Sequence, residues 1–68
     1  MNGSGITVNG PKIRRLRENQ GYTLTDLAHR TRISKAHLSQ VERGIRRPSP
    51  TVAAMIAVVL GVQVEELR

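Results

Sequence analysis

Apolar positions along the chain recur at helical spacing, in short runs separated by capping residues and turn formers. Ile13 and Leu16 lie three apart on one face, Pro11 suits a helix start, and Gly21 suits a stop, so the pattern predicts a helix over Pro11–Gln20. Thr23 and Asp26 stand where a cap and its reciprocating carboxylate would stand, and Tyr22 and Leu27 hold the two positions of a hydrophobic staple. A second helix therefore runs from after Thr23 to about Arg30, with Leu27 and Ala28 inward. Only three residues later Ser34 caps a third helix. Ile33 and Leu38 are at staple spacing, Leu38 and Val41 form the apolar stripe, and Gly44 ends it. After the loop Ile45-Arg46-Arg47-Pro48, Ser49 caps a fourth helix that begins at Pro50, runs through TVAAMIAVVL and stops at Gly61. A last short turn spans Val64 to Leu67, with Glu65 and Glu66 at its N-terminal end. No strand alternation and no repeat is present. The expectation is an all-α, five-helix bundle in one domain over residues 10–68, preceded by a flexible tail over residues 1–9, which have no period.

Composition narrows the chemistry. Eleven Lys and Arg against five Asp and Glu give a formal charge of +6, which favours polyanions. Tyr22 is the one aromatic residue, so stacking of single-stranded bases has no platform, and a duplex read by groove and phosphate fits better. Without cysteine there is no disulfide or thiolate site. His29 and His37 have no carboxylate cluster beside them, so a metal site is not expected; His29 reads as solvated and His37 as groove-side. No nucleophile–base pair, phosphate loop or carboxylate pair suggests an enzyme. Met1 to Gly10 lacks the charged start and apolar stretch of a signal peptide, and no apolar run is long enough to span a bilayer. The fourth helix is apolar all round but carries no Lys or Arg, which argues against a membrane-surface helix.

Two short helices joined by Thr31-Arg32-Ile33 make a helix-turn-helix unit. The second must project into a major groove about 12 Å wide, with its N-terminal residues facing base edges. Here that end offers Lys35, Ala36, His37, Ser39 and Gln40, all short or hydrogen-bonding, while Leu38 and Val41 turn inward.

The stretch GYTLTDLAHRTRISKAHLSQVERGIRRPSP, continued back through KIRRLRENQG and forward through VLGVQVEEL, resembles the phage-repressor and Cro-like, or xenobiotic-response-element, family over residues 11–68. The diagnostic pieces are LRxxxG from Leu16 to Gly21, Leu27-Ala28, Ile33-Ser34, LSQVERG from Leu38 to Gly44, and Pro48-Ser49. Each is weak alone; their order and spacing together are specific. The resemblance implies base contacts from Lys35, Ala36 and Gln40, to which Ser39 on the same face is added. It implies phosphate contacts from Arg43, Arg46 and Arg47; His37 and Arg14 are further phosphate candidates, with a solvated face as the plainer alternative for Arg14. It also implies a salt bridge between Arg17 and Glu42 that fixes the angle of the reading helix. Three positions depart from the pattern. Leu24 stands where a polar phosphate contact is usual, Arg32 stands where the turn usually has glycine and needs a left-handed backbone, and Gln63 is a poor cap for the last turn.

These residues together imply sequence-specific binding of double-stranded DNA to regulate transcription, as a cytoplasmic repressor of phage or bacterial type. No cofactor or small-molecule ligand is evident. Ile56, Ala57 and Leu60 are expected in the core. Ala54, Met55 and Val58 form a second stripe that suggests a homodimer on DNA. The alternative is a protein-interaction or antitoxin-type module whose apolar fourth helix binds a partner.

Overall fold

The computed structural model describes residues 5–68. Its α-helices are α1 (Gly10–Asn19), α2 (Leu24–Thr31), α3 (Lys35–Glu42) and α4 (Pro50–Leu60). Side-chain oxygens start each of them. The Thr23 hydroxyl accepts from the Asp26 N–H (3.0 Å) while the Asp26 carboxylate accepts from the Thr23 N–H (2.9 Å), a reciprocal cap. Ser34 accepts from the His37 N–H (3.0 Å) and Ser49 from the Val52 N–H (3.2 Å). Asn9 caps α1 by accepting from the Lys12 N–H (3.1 Å), so α1 begins at Gly10, one residue before the proline predicted to open it. α4 ends at Gly61 in the left-handed region (φ 72°).

The helices enclose one core of Ile13, Leu27, Leu38, Val41, Ile56, Ala57, Leu60 and Leu67, each at most 2% exposed. Val8, Leu16, Tyr22, Leu24, Ile33 and Val52 pack around it. Leu24 thus packs against the core at the position where the family resemblance implies a polar residue.

The expected fifth helix is corrected. Val64–Leu67 is a single 3-10 turn, closed by the Glu66 N–H donating to the Gln63 carbonyl (2.9 Å) and the Arg68 N–H to the Glu65 carbonyl (3.3 Å). Four residues are one turn of the tighter helix and too few to propagate an α-helix. The Glu66 carboxylate caps the turn by accepting from the Gln63 N–H (2.9 Å), and the turn delivers Leu67 into the core.

Residues 1–4 of the expected tail lie outside the described residues. The rest of that segment is tied to the body. The Ile6 N–H donates to the Pro48 carbonyl (2.9 Å), the Asn9 N–H to the Leu67 carbonyl (2.6 Å), and Val8 packs on the core. Gly5–Asn9 thus forms a strap across the α3–α4 loop and the 3-10 turn. Next to it Gly10 is wholly enclosed. A Cβ there would stand 2.3 Å from the Glu42 carbonyl oxygen and 2.6 Å from that of Val41, so only glycine lets α1 start against the end of α3.

Candidate nucleic-acid interface

The helix-turn-helix unit is built from α2, its left-handed cap and α3. Thr31 is buried and its hydroxyl donates to the Leu27 carbonyl (2.7 Å) and accepts from the Ile33 N–H (3.3 Å), which binds both sides of the turn. Arg32 then reverses the chain at φ 60°, ψ 28°, the one non-glycine with positive φ among the described residues. A side chain there costs about 1 kcal/mol. The reversal sends α3 across α2, and Leu38 and Val41 sink into the core at 1% exposure each.

The outer face of α3 carries the residues predicted to read DNA. Lys35 and Ala36 are exposed at its first turn; His37, Ser39 and Gln40 are half-buried. The backbone carbonyl of Gln40 accepts from the Ile45 N–H (2.9 Å) and the Arg46 N–H (3.3 Å), so the basic loop is folded onto the end of the helix. Arg43 is exposed, and its Nε donates back to the Ser39 carbonyl (3.3 Å). Arg46 and Arg47 are exposed in the loop. Arg14, on α1, is paired with Glu18 one turn on (Nε–Oε2 3.1 Å). That pair is solvent-exposed and contributes about 0–1 kcal/mol, so it holds the guanidinium only weakly.

Arg17 and Glu42 meet across the α1–α3 junction. Arg17 Nε donates to one carboxylate oxygen (2.7 Å) and Nη2 to the other (3.0 Å), the two-pronged geometry that suits guanidinium and carboxylate. The residues are 7% and 8% exposed. A third donor, Nη1, meets the Tyr22 carbonyl (2.8 Å), so one guanidinium ties α1, the approach to α2 and the end of α3. The hydrogen bonds to Glu42 raise the Arg17 pKa above its ordinary value and keep it charged at any physiological pH. Sequence reasoning missed the Tyr22 contact, because a carbonyl acceptor leaves no side-chain signature.

It also missed a polar cleft of about 260 Å³ beside α3, lined by Gly5, His37, Arg46, Arg47 and Ser49. One wall belongs to the strap, which had been expected as tail. Exposed apolar side chains lie elsewhere. Val58 is 74% and Met55 38% exposed on α4, with Ala54 beside them, and Ile45 in the loop is 64% exposed. Ile56, Ala57 and Leu60 are buried. No helix among the described residues is long and apolar enough to cross a membrane.

A short helix held at its inner face by a core, preceded by a capped partner helix and followed by a basic loop, defines a helix-turn-helix domain. The chain belongs to the helix-turn-helix family, whose model matches residues 13–67. It is 45% identical over 58 residues to an uncharacterized HTH-type transcriptional regulator of Mycobacterium tuberculosis, a match covering 85% of this chain and 41% of that protein. The chain thus spans less than half the length of that relative. Among solved structures, it is similar to the restriction-modification controller protein C.AhdI from Aeromonas hydrophila. That match has a TM-score of 0.83 and 29% identity, over 87% of this chain and 89% of the other. It is likewise similar to SinR, a master regulator for biofilm formation, in a crystal structure of its complex with DNA. Here the TM-score is 0.82 and the identity 33%, over 87% and 98% of the two chains.

Proposed function

We infer that the chain binds double-stranded DNA at a specific site and thereby regulates transcription, with α3 in the major groove and Lys35, Ala36, Ser39 and Gln40 facing base edges. The observation that carries this is the pairing of a projecting helix end with a basic loop, Arg46-Arg47, hydrogen-bonded onto that same helix. Arg43, Arg46, Arg47 and His37 take backbone phosphates, and Arg14 joins them when it leaves Glu18. SinR, a relative of matching fold, has been crystallised on DNA, which supports the same use of this fold. Regulation follows the phage or bacterial repressor pattern, by occupying an operator.

The exposed face of α4 supports binding as a two-fold dimer. Ala54, Met55 and Val58 leave an apolar stripe in water, and a second copy would cover it, placing half-sites about one DNA turn, ~34 Å, apart.

Selection of bound sites from random duplexes tests both parts. The expected result is a single enriched motif, two-fold symmetric at that spacing, bound with an affinity that falls steeply with salt. No enrichment over the starting pool refutes specific binding. Met55→Lys is expected to keep the fold and weaken binding to the full symmetric site; full-site binding equal to the parent's refutes the α4 interface.

A further inference from the structure

The cleft beside α3 is assembled from four separate parts of the chain. Gly5 comes from the strap, His37 from α3, Arg46 and Arg47 from the loop, and Ser49 from the cap of α4. The charged groups lining it are the two arginines, joined by a histidine that can become a third cation; no acidic residue is among them. The strap closes its wall with backbone. A Cβ on Gly5 would stand 2.8 Å from the Arg47 Cβ, and the Ile6–Pro48 hydrogen bond holds the strap in that position.

His37 Nε2 is the unusual atom. It is buried and has no hydrogen-bond partner among the described residues. Buried polar atoms are nearly always paired, and this one belongs to a side chain that lines a polar cleft, where a partner can be supplied from outside. The electrostatics say what kind. An oxyanion seated in this cleft lies beside two guanidiniums and an imidazole, and its negative charge favours the protonated form of that imidazole. Anion binding and protonation of His37 therefore favour each other.

We propose that this cleft seats one phosphate group between Arg46, Arg47 and His37, and that seating it takes up a proton from solvent onto His37. The grip then tightens as pH falls. A DNA backbone phosphate is the expected source, which rests on the DNA-binding reading above; a free phosphate ion offers the same oxygens.

His29→Gln, a change at an exposed position, leaves His37 as the sole histidine and makes its ring protons readable by NMR. They are titrated from pH 5 to 8 in the free chain, with inorganic phosphate, and with a mixed-sequence duplex. The expected result is a titration moved to higher pH by the duplex. A move with inorganic phosphate and none with duplex assigns the seat to the free ion. A titration unmoved by either overturns the proposal. Duplex affinity is measured in parallel by fluorescence anisotropy at fixed ionic strength. It is expected to tighten several-fold from pH 8 to pH 6, by at most about tenfold per pH unit for one proton. His37→Gln should remove that pH dependence while keeping the salt dependence. Salt-sensitive duplex binding that ignores pH removes this proposal and leaves DNA binding standing. Absence of duplex binding at any pH removes the DNA reading, and the inorganic phosphate titration then decides the cleft by itself.

Discussion

Cutting the Arg17–Glu42 pair on one side strands a charge in a place with almost no water. Arg17→Met keeps most of the stem's packing and removes the fork. The Glu42 carboxylate, 8% exposed, then loses both of its donors, and the Tyr22 carbonyl loses its own. Breaking a buried pair this way costs about 3–5 kcal/mol. A domain of this size has a total stability of about 5–15 kcal/mol, and a short one lies towards the low end. At 4–8 °C per kcal/mol, the melting temperature should fall by roughly 12–40 °C. Glu42→Leu should cost a similar amount, since it strands the guanidinium instead. The double variant, with no buried charge left, should recover much of the loss, because an apolar pair of like volume is often as stable as the ions. Thermal and urea denaturation of the four proteins gives the coupling energy. The sign with pH is also set. A raised folded-state pKa gives stability that is present below the unfolded value and lost only as pH climbs through the folded one. For an arginine both lie above the physiological range, so Arg17's share is constant at ordinary pH. A coupling near zero, with both single variants as stable as the parent, would refute the buried-bridge account.

Other consequences are as open to measurement. Gln40→Ala should lose about 1–3 kcal/mol on the selected site and little on random DNA, whereas Arg46→Ala and Arg47→Ala should weaken both alike; equal losses for Gln40→Ala on the two duplexes would remove it from base reading. Arg32→Gly should keep DNA binding and raise the melting midpoint by up to about 1 kcal/mol of stability, by relieving the left-handed turn; a lower midpoint would mean the Arg32 side chain makes a stabilising contact. The Asp26 pKa is lowered from 3.8, chiefly by the Thr23 N–H and then its hydroxyl. Its stabilising effect is therefore present above about pH 4 and lost as pH falls through the lower folded value. Melts from pH 2 to 6 should show Asp26→Asn losing less stability on acidification than the parent, and identical pH profiles would contradict the reciprocal cap.

The parts legible in the sequence are those encoded by neighbours. Thr23, Ser34 and Ser49 each cap a helix through an N–H three residues on, and Gly61 ends α4, so local spacing was enough to find them. The left-handed backbone at Arg32 followed from comparison with a family whose turn has glycine there. What local pattern could not show depends on backbone carbonyls far along the chain. The Ile6–Pro48 and Asn9–Leu67 hydrogen bonds involve no particular side chains, so a segment without period read as tail. The Gln20 amide donating to the Leu60 carbonyl (2.7 Å), which ties the end of α1 to the end of α4, was invisible for the same reason. The cleft at His37 depends on that strap and was hidden with it. A 3-10 turn and a short α-helix share one apolar signal over four residues, so the fifth element was placed correctly and typed wrongly.

On the proposed function, the division of labour within α3 lets so small a domain change its base contacts without changing its fold. Eight residues are too few to hold a helix in water, where roughly 12–15 are needed even for good formers. Its order must come from its attachments. Ser34 caps its start, Leu38 and Val41 fix its inner face in the core, and the Gln40 carbonyl takes the loop's N–H groups. At its far end Arg17 grips Glu42, and Gly10 lets α1 abut the carbonyls of Val41 and Glu42. Each attachment uses the backbone or an inward side chain. Lys35 and Ala36 are exposed and serve none of them. Gln40 contributes only its carbonyl, which any residue supplies. Substitutions at Lys35 and Ala36 are therefore nearly free of folding cost, within about 0.5 kcal/mol for surface sites, and a change at the half-buried Gln40 costs only its side-chain packing. Changes at Leu38, Val41 or Glu42 carry the full cost of core or bridge.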